Sequence, residues 1–397
     1  MLPPSSDPGA FRLAANNVAP YYSDSPRAVS FLSDKYTSLA IPVVVYWVSS
    51  LSFHALDVLR PAFSEKYRIH EPAEVTRRNR VSMTRVIVMV ILQHILQTVL
   101  GIIVLTDTAH NTTRRLDVDP IGDVLRLGDR IQRVIGYAAP SLATTDIATR
   151  VAIAMYWWMI PWMQLWFGCL VMDTWQYMLH RLMHEVRFLY RMLHSHHHRL
   201  YVPYAFGALY NHPLEGLLLD TVSAALAQEA SRMNMRVTMV FFSMSTFKTV
   251  CDHCGYNFPW YYNPLHLFFP NSAAYHDVHH QSKGLRFNYS QPFFVHFDTL
   301  FNTRVDPDDF YAQISESAPE EVPASRGGLR RRNVGTDEKK QQQRPATTTA
   351  SAARAVKPST GKNSHYVLAS RAGIVRALVV LIVPLVYYLG APYSMLT

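Results

Sequence analysis

Long apolar runs separated by short polar stretches dominate this chain, and three of them are long enough to cross a bilayer core of ~30 Å, which takes about 20 apolar residues. They run roughly from Tyr36 to Val58, Arg85 to Leu105 and Val151 to Met172. A fourth, Ala377 to Thr397, is uncharged and carries the kink-prone Pro384. Two shorter runs, Leu214 to Leu226 and Val237 to Val250, are too short to cross singly and predict a hairpin that dips in and returns. Period-two alternation is scarce, so helices are expected throughout. The pattern predicts an all-α fold: a polytopic membrane helical bundle carrying a cytosolic, histidine-rich helical cap that holds two metals. The first apolar run begins near residue 36, and it is expected to remain as an anchor.

Polar text divides the chain further. Residues 1–35, rich in Pro, Ser and Asp, read as a flexible N-terminal tail, and 36–148 as N-terminal spans and loops. Residues 149–310 hold the histidines and form the expected catalytic domain. Residues 311–370 turn to Pro, Ala, Thr, Gln and charge with little to bury, which predicts a disordered basic linker. Residues 371–397 are the expected last span.

Composition agrees: 397 residues, 49% hydrophobic and only 17% charged, exclude an ordinary soluble protein. The placement of the net charge of +9 matters more than its size. Lys66, Arg68, Arg77, Arg78 and Arg80 outnumber Glu65, Glu71 and Glu74 between the first two runs, which marks that loop as cytosolic. Between the second and third, Asp107, Asp117, Asp119, Asp123, Asp129 and Asp146 balance the arginines, so that loop, with its Asn111-Thr112-Thr113 sequon, is expected in the lumen. Counting onward returns the histidines to the cytosol. The Arg330-Arg331-Arg332 and Lys339-Lys340 runs of the linker would lie there too, near an anionic leaflet. No nucleic-acid partner is expected. Cys169, Cys251 and Cys254 are too few for a disulfide framework, and the single CxxC lacks the second pair a zinc ribbon needs.

The histidines carry the chemistry. "HRLMH" holds His180 and His184 at i, i+4; "HSHHH" holds His194, His197 and His198 at i, i+3, i+4; and "HDVHH" repeats that pattern with His276, His279 and His280. On a helix such offsets share a face, so each box is expected to aim its imidazoles at one point. Packing alone gives no reason to desolvate so many imidazoles near a membrane, whereas shared metal does. His212 in "YNHPLEG" and His253 in "CDHCGYNFPW" join the set and bring it to ten, enough for two metals with about five nitrogens each. A structural zinc site closes with four ligands. Ten imidazoles therefore suggest a dinuclear site, with iron the natural choice for oxygen activation. Asp173, seven residues before His180 and so on nearly the same helical face, and Asp252 and Asp277, beside ligand candidates, are placed to accept the other N–H of ligand imidazoles. His196 sits at the wrong offset and is counted out. His54, His70, His94, His110, His266, His296 and His365 have no partner spacing and are read as structural.

The HxxxH, HxxHH, HxxHH series over a few spans resembles the fatty acid hydroxylase superfamily of membrane di-iron enzymes. Within it, "DTWQYMLHRLMHEVRFLYRMLHSHHHRLYVPYAFGALYNHPLEGLLLDT", "KTVCDHCGYNFPW" and "AYHDVHHQSKGLRFNYSQPFFVHFDTLF" look like the sphinganine C4-hydroxylase branch, over about residues 150–305. The resemblance implies an endoplasmic reticulum membrane enzyme that hydroxylates C4 of sphinganine or dihydroceramide, with ligands at His180, His184, His194, His197, His198, His253, His276, His279, His280 and, less regularly in relatives, His212. It also implies electrons from NAD(P)H through a reductase and cytochrome b5. The HPGG motif of a fused cytochrome b5 is absent from this sequence, so the donor would be a separate protein. Two other readings stay open: a sterol methyl oxidase or sterol desaturase on the same fold, and a non-catalytic metal-handling protein such as a zinc transporter. The second would place its ligands within the spans or in disordered loops.

Overall fold

The computed structural model describes residues 7–22, 27–112 and 119–316. Among them there is no strand beyond two isolated bridges, Val29 with Leu32 and Arg68 with Tyr256. The described residues are mainly helical, as the periodicity predicts.

Two helices, Asp34–Leu59 and Met83–Val104, are long and apolar enough to cross a membrane by length and composition. Both leave large apolar side chains facing outward, among them Val48 and Val58 on the first and Val88 and Ile103 on the second. So large an apolar exterior is costly in water and fits lipid. The third expected span is not one apolar helix. Val151 to Met172 is shared between the helix Thr145–Ala154, a π-helical turn at Met155–Met159 and the start of the helix Ile160–Glu185. The latter helix turns a polar face inward, burying Gln164, Asp173, Gln176 and His180, because it serves the centre of the protein. The two shorter runs fall in successive helical segments. The helix Ser223–Ser231 ends at Arg232 in the left-handed region (φ 55°), and Asn234 then caps Met235–His253 by accepting the N–H groups of Arg236 and Val237.

The N-terminal segment differs from the flexible tail expected of residues 1–35. Asp7 and Pro8 form a helix start, with the Asp7 carboxylate accepting the Gly9 N–H at 2.8 Å. The resulting helix, Pro8–Asn16, buries Ala10 and Ala14 against Val124, Leu125 and Ala152. Val124 and Leu125 come from Pro120–Ala138, an amphipathic helix within the stretch expected to be a lumenal loop. The helix Pro307–Glu316 takes the first residues of the expected linker. The rest of the linker, the last apolar run and His365 lie outside the described residues.

The helix Met235–His253 packs along Asp34–Leu59, Ser223–Ser231 packs on Ile160–Glu185, and the short helix Ala273–His280 meets the end of Met235–His253. Histidines from four separate stretches of sequence are thereby brought to one place.

Candidate metal centre

His180 and His184 lie one turn apart at the end of Ile160–Glu185. The second box is not a continuous α-helix. A π-helical turn, Tyr190–His194, is followed by a 3-10 turn, His197–Arg199. The third box is α-helical, with Ser272 capping it through the Tyr275 N–H at 3.2 Å. His253 is the last residue of Met235–His253.

These side chains form two groups whose nitrogens lie within 4.8 Å of one another, each able to hold a metal ion: His180, His184, His194, His198 and His279 in one, and His197, His253, His276 and His280 in the other. The triplets are therefore split. The i, i+4 pair His194 and His198 joins the first group and His197 the second, whereas the pair His276 and His280 joins the second and His279 the first. This corrects the expectation that each box aims at one point: in the α-helical third box i and i+4 share a face while the residue at i+3 is rotated away from both, and in the second box the change from a π-helical to a 3-10 turn separates His197 from the other two.

The hydrogen bonds fix which ring nitrogen is bare. Backbone carbonyls accept from Nδ1 of His180 (Tyr289, 2.7 Å), His197 (Tyr210, 3.2 Å), His253 (Thr249, 2.8 Å), His279 (Phe287, 2.7 Å) and His280 (Leu200, 2.7 Å). A carbonyl only accepts, so Nδ1 carries the proton and Nε2 presents a lone pair. His197 and His253 then face each other with two lone pairs, their Nε2 atoms 3.4 Å apart. Nε2 atoms also meet at 2.9 Å between His180 and His194, at 3.0 Å between His198 and His194, and at 3.1 Å between His276 and His253. Nε2 of His279 is buried with no hydrogen bond. Protonated rings would relieve these contacts, but burial pushes His180 and His253 down to about 3 and His197 to about 4. Neutral imidazoles converging through Nε2 fit a pair of cations, and nothing else in the donor set satisfies them.

Four residues read as part of the site do not take the roles expected of them. His212 belongs to neither group. Its Nδ1 accepts the Leu214 N–H at 3.2 Å and caps the turn Pro213–Gly216, and its ring lies beside His196, 5.4 Å between centroids. The three aspartates do not hold ligand imidazoles. Asp173 accepts the N–H groups of Phe293 and Phe294, and Asp252 binds Lys248 and Asn271. Asp277 binds His70, Tyr311 and Gln281. Each is engaged by other donors, backbone N–H groups at Asp173, a lysine and an amide at Asp252, and an imidazole, a phenol and an amide at Asp277. His70, read as merely structural, gains that partner from 207 residues away.

The carboxylate that does hold a ligand is Glu215, fully buried and hydrogen-bonded through Oε1 to Nδ1 of His194. Its position in "HPLEG" carries no periodic relation to a box. Asp298 acts one step further out: it accepts the N–H groups of Tyr289 (3.0 Å) and Ser290 (2.8 Å) and so sets the carbonyl on which His180 hangs. A cavity reaches both groups at His194, His197, His253 and His276, with Glu215 and Asp220 in its wall.

The family model described as fatty acid hydroxylase matches residues 165–303. The sphingolipid C4-hydroxylase of Schizosaccharomyces pombe is 42% identical over 270 residues, covering 68% of this chain and 88% of its own length. Sphinganine C4-monooxygenase 2 of Arabidopsis thaliana is 41% identical, covering 68% and 88%. A very-long-chain aldehyde decarbonylase of Oryza sativa subsp. indica is 38% identical, covering 69% and 90%. No solved structure matches. The residues that hold both histidine groups lie almost entirely inside the matched region, and relatives of this identity align over most of their own length. The chain therefore belongs to the fatty acid hydroxylase family, an oxidoreductase of the group that includes the sphingolipid C4-hydroxylases.

Proposed function

We propose that this chain is a membrane di-iron monooxygenase that hydroxylates C4 of sphinganine or dihydroceramide, giving phytosphingosine-type sphingolipids. One methylene C–H, O2, two electrons and two protons become one C–OH and one water. Electrons come from NAD(P)H through a reductase and cytochrome b5. The observation that carries the reading is the convergence of nine neutral imidazoles, six of them held through Nδ1 so that Nε2 is bare, beside a polar-walled cavity, in a chain whose relatives bear that name.

Two iron ions held by these residues would supply the oxygen activation that no side chain can. The protein's own part is positional. Backbone carbonyls and Glu215 hold the rings in one tautomer and orientation, and burial keeps them neutral and away from bulk water. An all-imidazole donor set suits iron among the redox metals.

The proposed location is the endoplasmic reticulum membrane, multi-pass, with the boxes cytosolic. Support comes from the basic connection between the two apolar helices, which docks on the box region: the Arg80 N–H donates to the Arg199 carbonyl at 2.9 Å and the Ile69 N–H to the Gly255 carbonyl at 3.0 Å. By the positive-inside rule, the connection and the boxes share the cytosolic side, where a soluble electron-carrying domain reaches them.

The test is mass spectrometry of long-chain bases in cells lacking C4-hydroxylated sphingoids, expressing this chain or its His276→Ala variant. A C4-hydroxylated base with the intact chain alone supports the proposal. Its absence, with the protein in the membrane and a donor supplied, rejects it. The decarbonylase relative makes shortened hydrocarbons the next products to look for, ahead of oxidised sterols.

A further inference from the structure

Glu215 and Asp220 stand on successive turns of one segment, Pro213–Gly216 followed by the π-helical turn Leu217–Val222, and both line the cavity beside the histidines. Glu215 uses one oxygen on His194, while its Oε2 is buried without a hydrogen bond. Oδ2 of Asp220 is likewise shielded from solvent and makes no hydrogen bond. Asp252, the other carboxylate in the cavity wall, is taken by Lys248 and Asn271. Buried acceptors left unmatched are costly, and two of them on residues that line one cavity point to a ligand that brings the donors.

Resting on the function proposed above, the chemistry of the substrate identifies those donors. In a sphingoid base the amine is on C2 and the reacting carbon is C4, three bonds from the nitrogen, so the amine lies within about 4 Å of the carbon to be oxidised. Whatever places C4 at the histidines also places the amine close to them, and the cavity that His194, His197, His253 and His276 share with Glu215 and Asp220 is there to receive it. An unacylated base brings an ammonium with three donors and a positive charge. An N-acylated base brings a single neutral N–H, which leaves a buried carboxylate uncompensated. We propose that Asp220 is the specificity residue for the head group, binding the ammonium of the free long-chain base, with Oε2 of Glu215 accepting from a neighbouring donor of the same head group.

The experiment is equilibrium binding of a short-chain sphinganine and its N-acetyl analogue to the purified, metal-loaded full chain in detergent at neutral pH. The intact chain should prefer the free base by about tenfold or more. Asp220→Asn, of the same shape, should abolish the preference by weakening the free base alone, and Asp220→Glu should restore part of it, which a merely misfolded variant would not do. Equal affinity of the intact chain for both compounds, or a preference that survives Asp220→Asn, overturns the assignment. If the intact chain shows the Asp220-dependent preference yet makes no C4-hydroxylated product, the head-group site stands and the proposed reaction falls. If it binds neither compound, both fall.

Discussion

Oε1 of Glu215 and Nδ1 of His194 are hydrogen-bonded at a point where the side chains are 0% and 1% exposed. It is the sole ligand ring among the described residues for which a carboxylate, in place of a backbone carbonyl, is seen holding Nδ1. Replacing that carboxylate by the amide in Glu215→Gln keeps the shape but offers the ring a weaker and less directional partner. Outer partners of this kind are typically worth 10- to 100-fold in metal affinity or activity. The expected outcome is a loss of product formation in that range, with iron content per chain reduced, measured by metal analysis of the purified protein.

Chelation should act on the fold as well as on the activity. Without cations, lone pairs face one another in a closed interior, as at His197 and His253. Metal binds the folded chain and so shifts the folding equilibrium. Thermal melting of the purified protein should move down by several degrees on removal of metal and recover on addition of ferrous iron. His279→Ala and His276→Ala, drawn from different groups, should each abolish turnover, because both lie adjacent in one helix yet serve separate sites. Retained activity in either variant would show that its group is dispensable.

Lys248 and Asp252 form an ion pair with side-chain exposures of 0% and 3%. Lys248→Met removes the cation and leaves the carboxylate buried with only Asn271 beside it. Breaking a buried pair from one side costs about 3–5 kcal/mol. The measurement is denaturant or thermal unfolding of the variant. A double replacement, Lys248→Met with Asp252→Leu, should recover much of the loss if the uncompensated charge is its cause.

Gly284 closes the turn after the third box, its N–H donating to the Gln281 carbonyl at 2.8 Å. A Cβ there would stand 1.7 Å from the backbone oxygen of Val278, an atom within the helix that carries His276, His279 and His280. Backbone cannot yield as a flexible side chain does, so Gly284→Ala must displace the end of that helix. A displacement of about 1 Å near reacting groups costs on the order of a hundredfold in rate. Product formation should fall by about that much while the protein still accumulates in the membrane, and normal turnover would refute the argument.

Much of the architecture follows from local rules that the chain displays openly. Two apolar runs become the helices Asp34–Leu59 and Met83–Thr112, and Asn234 and Ser272 begin helices as capping residues do. Pro8 after Asp7 marks a helix start in the same way, and the reading of residues 1–35 as a tail passed over it in favour of composition. The histidine offsets are equally local, since spacing on a helix states an angle. What spacing leaves open is where that angle points once a neighbouring element arrives. His197 and His279 each leave their own box for the opposite group because the partners that set the groups come from other helices.

The choice of supporting partners was tertiary for several of the rings, although His253 is held by Thr249 of its own helix. His180 is held by the carbonyl of Tyr289, 109 residues away, and His280 by that of Leu200, 80 residues away, and a backbone carbonyl carries no sequence signature at all. Asp173, Asp252 and Asp277 sit beside the boxes in sequence yet answer to other donors, whereas Glu215, with no periodic tie to any box, takes the role. His212 has the right chemistry and is spent capping a turn. The sequence by itself determined how many imidazoles were available and the local angles between them, because those depend on neighbouring residues along one helix. Only the tertiary structure decided which of them meet, since that depends on which surfaces bury one another.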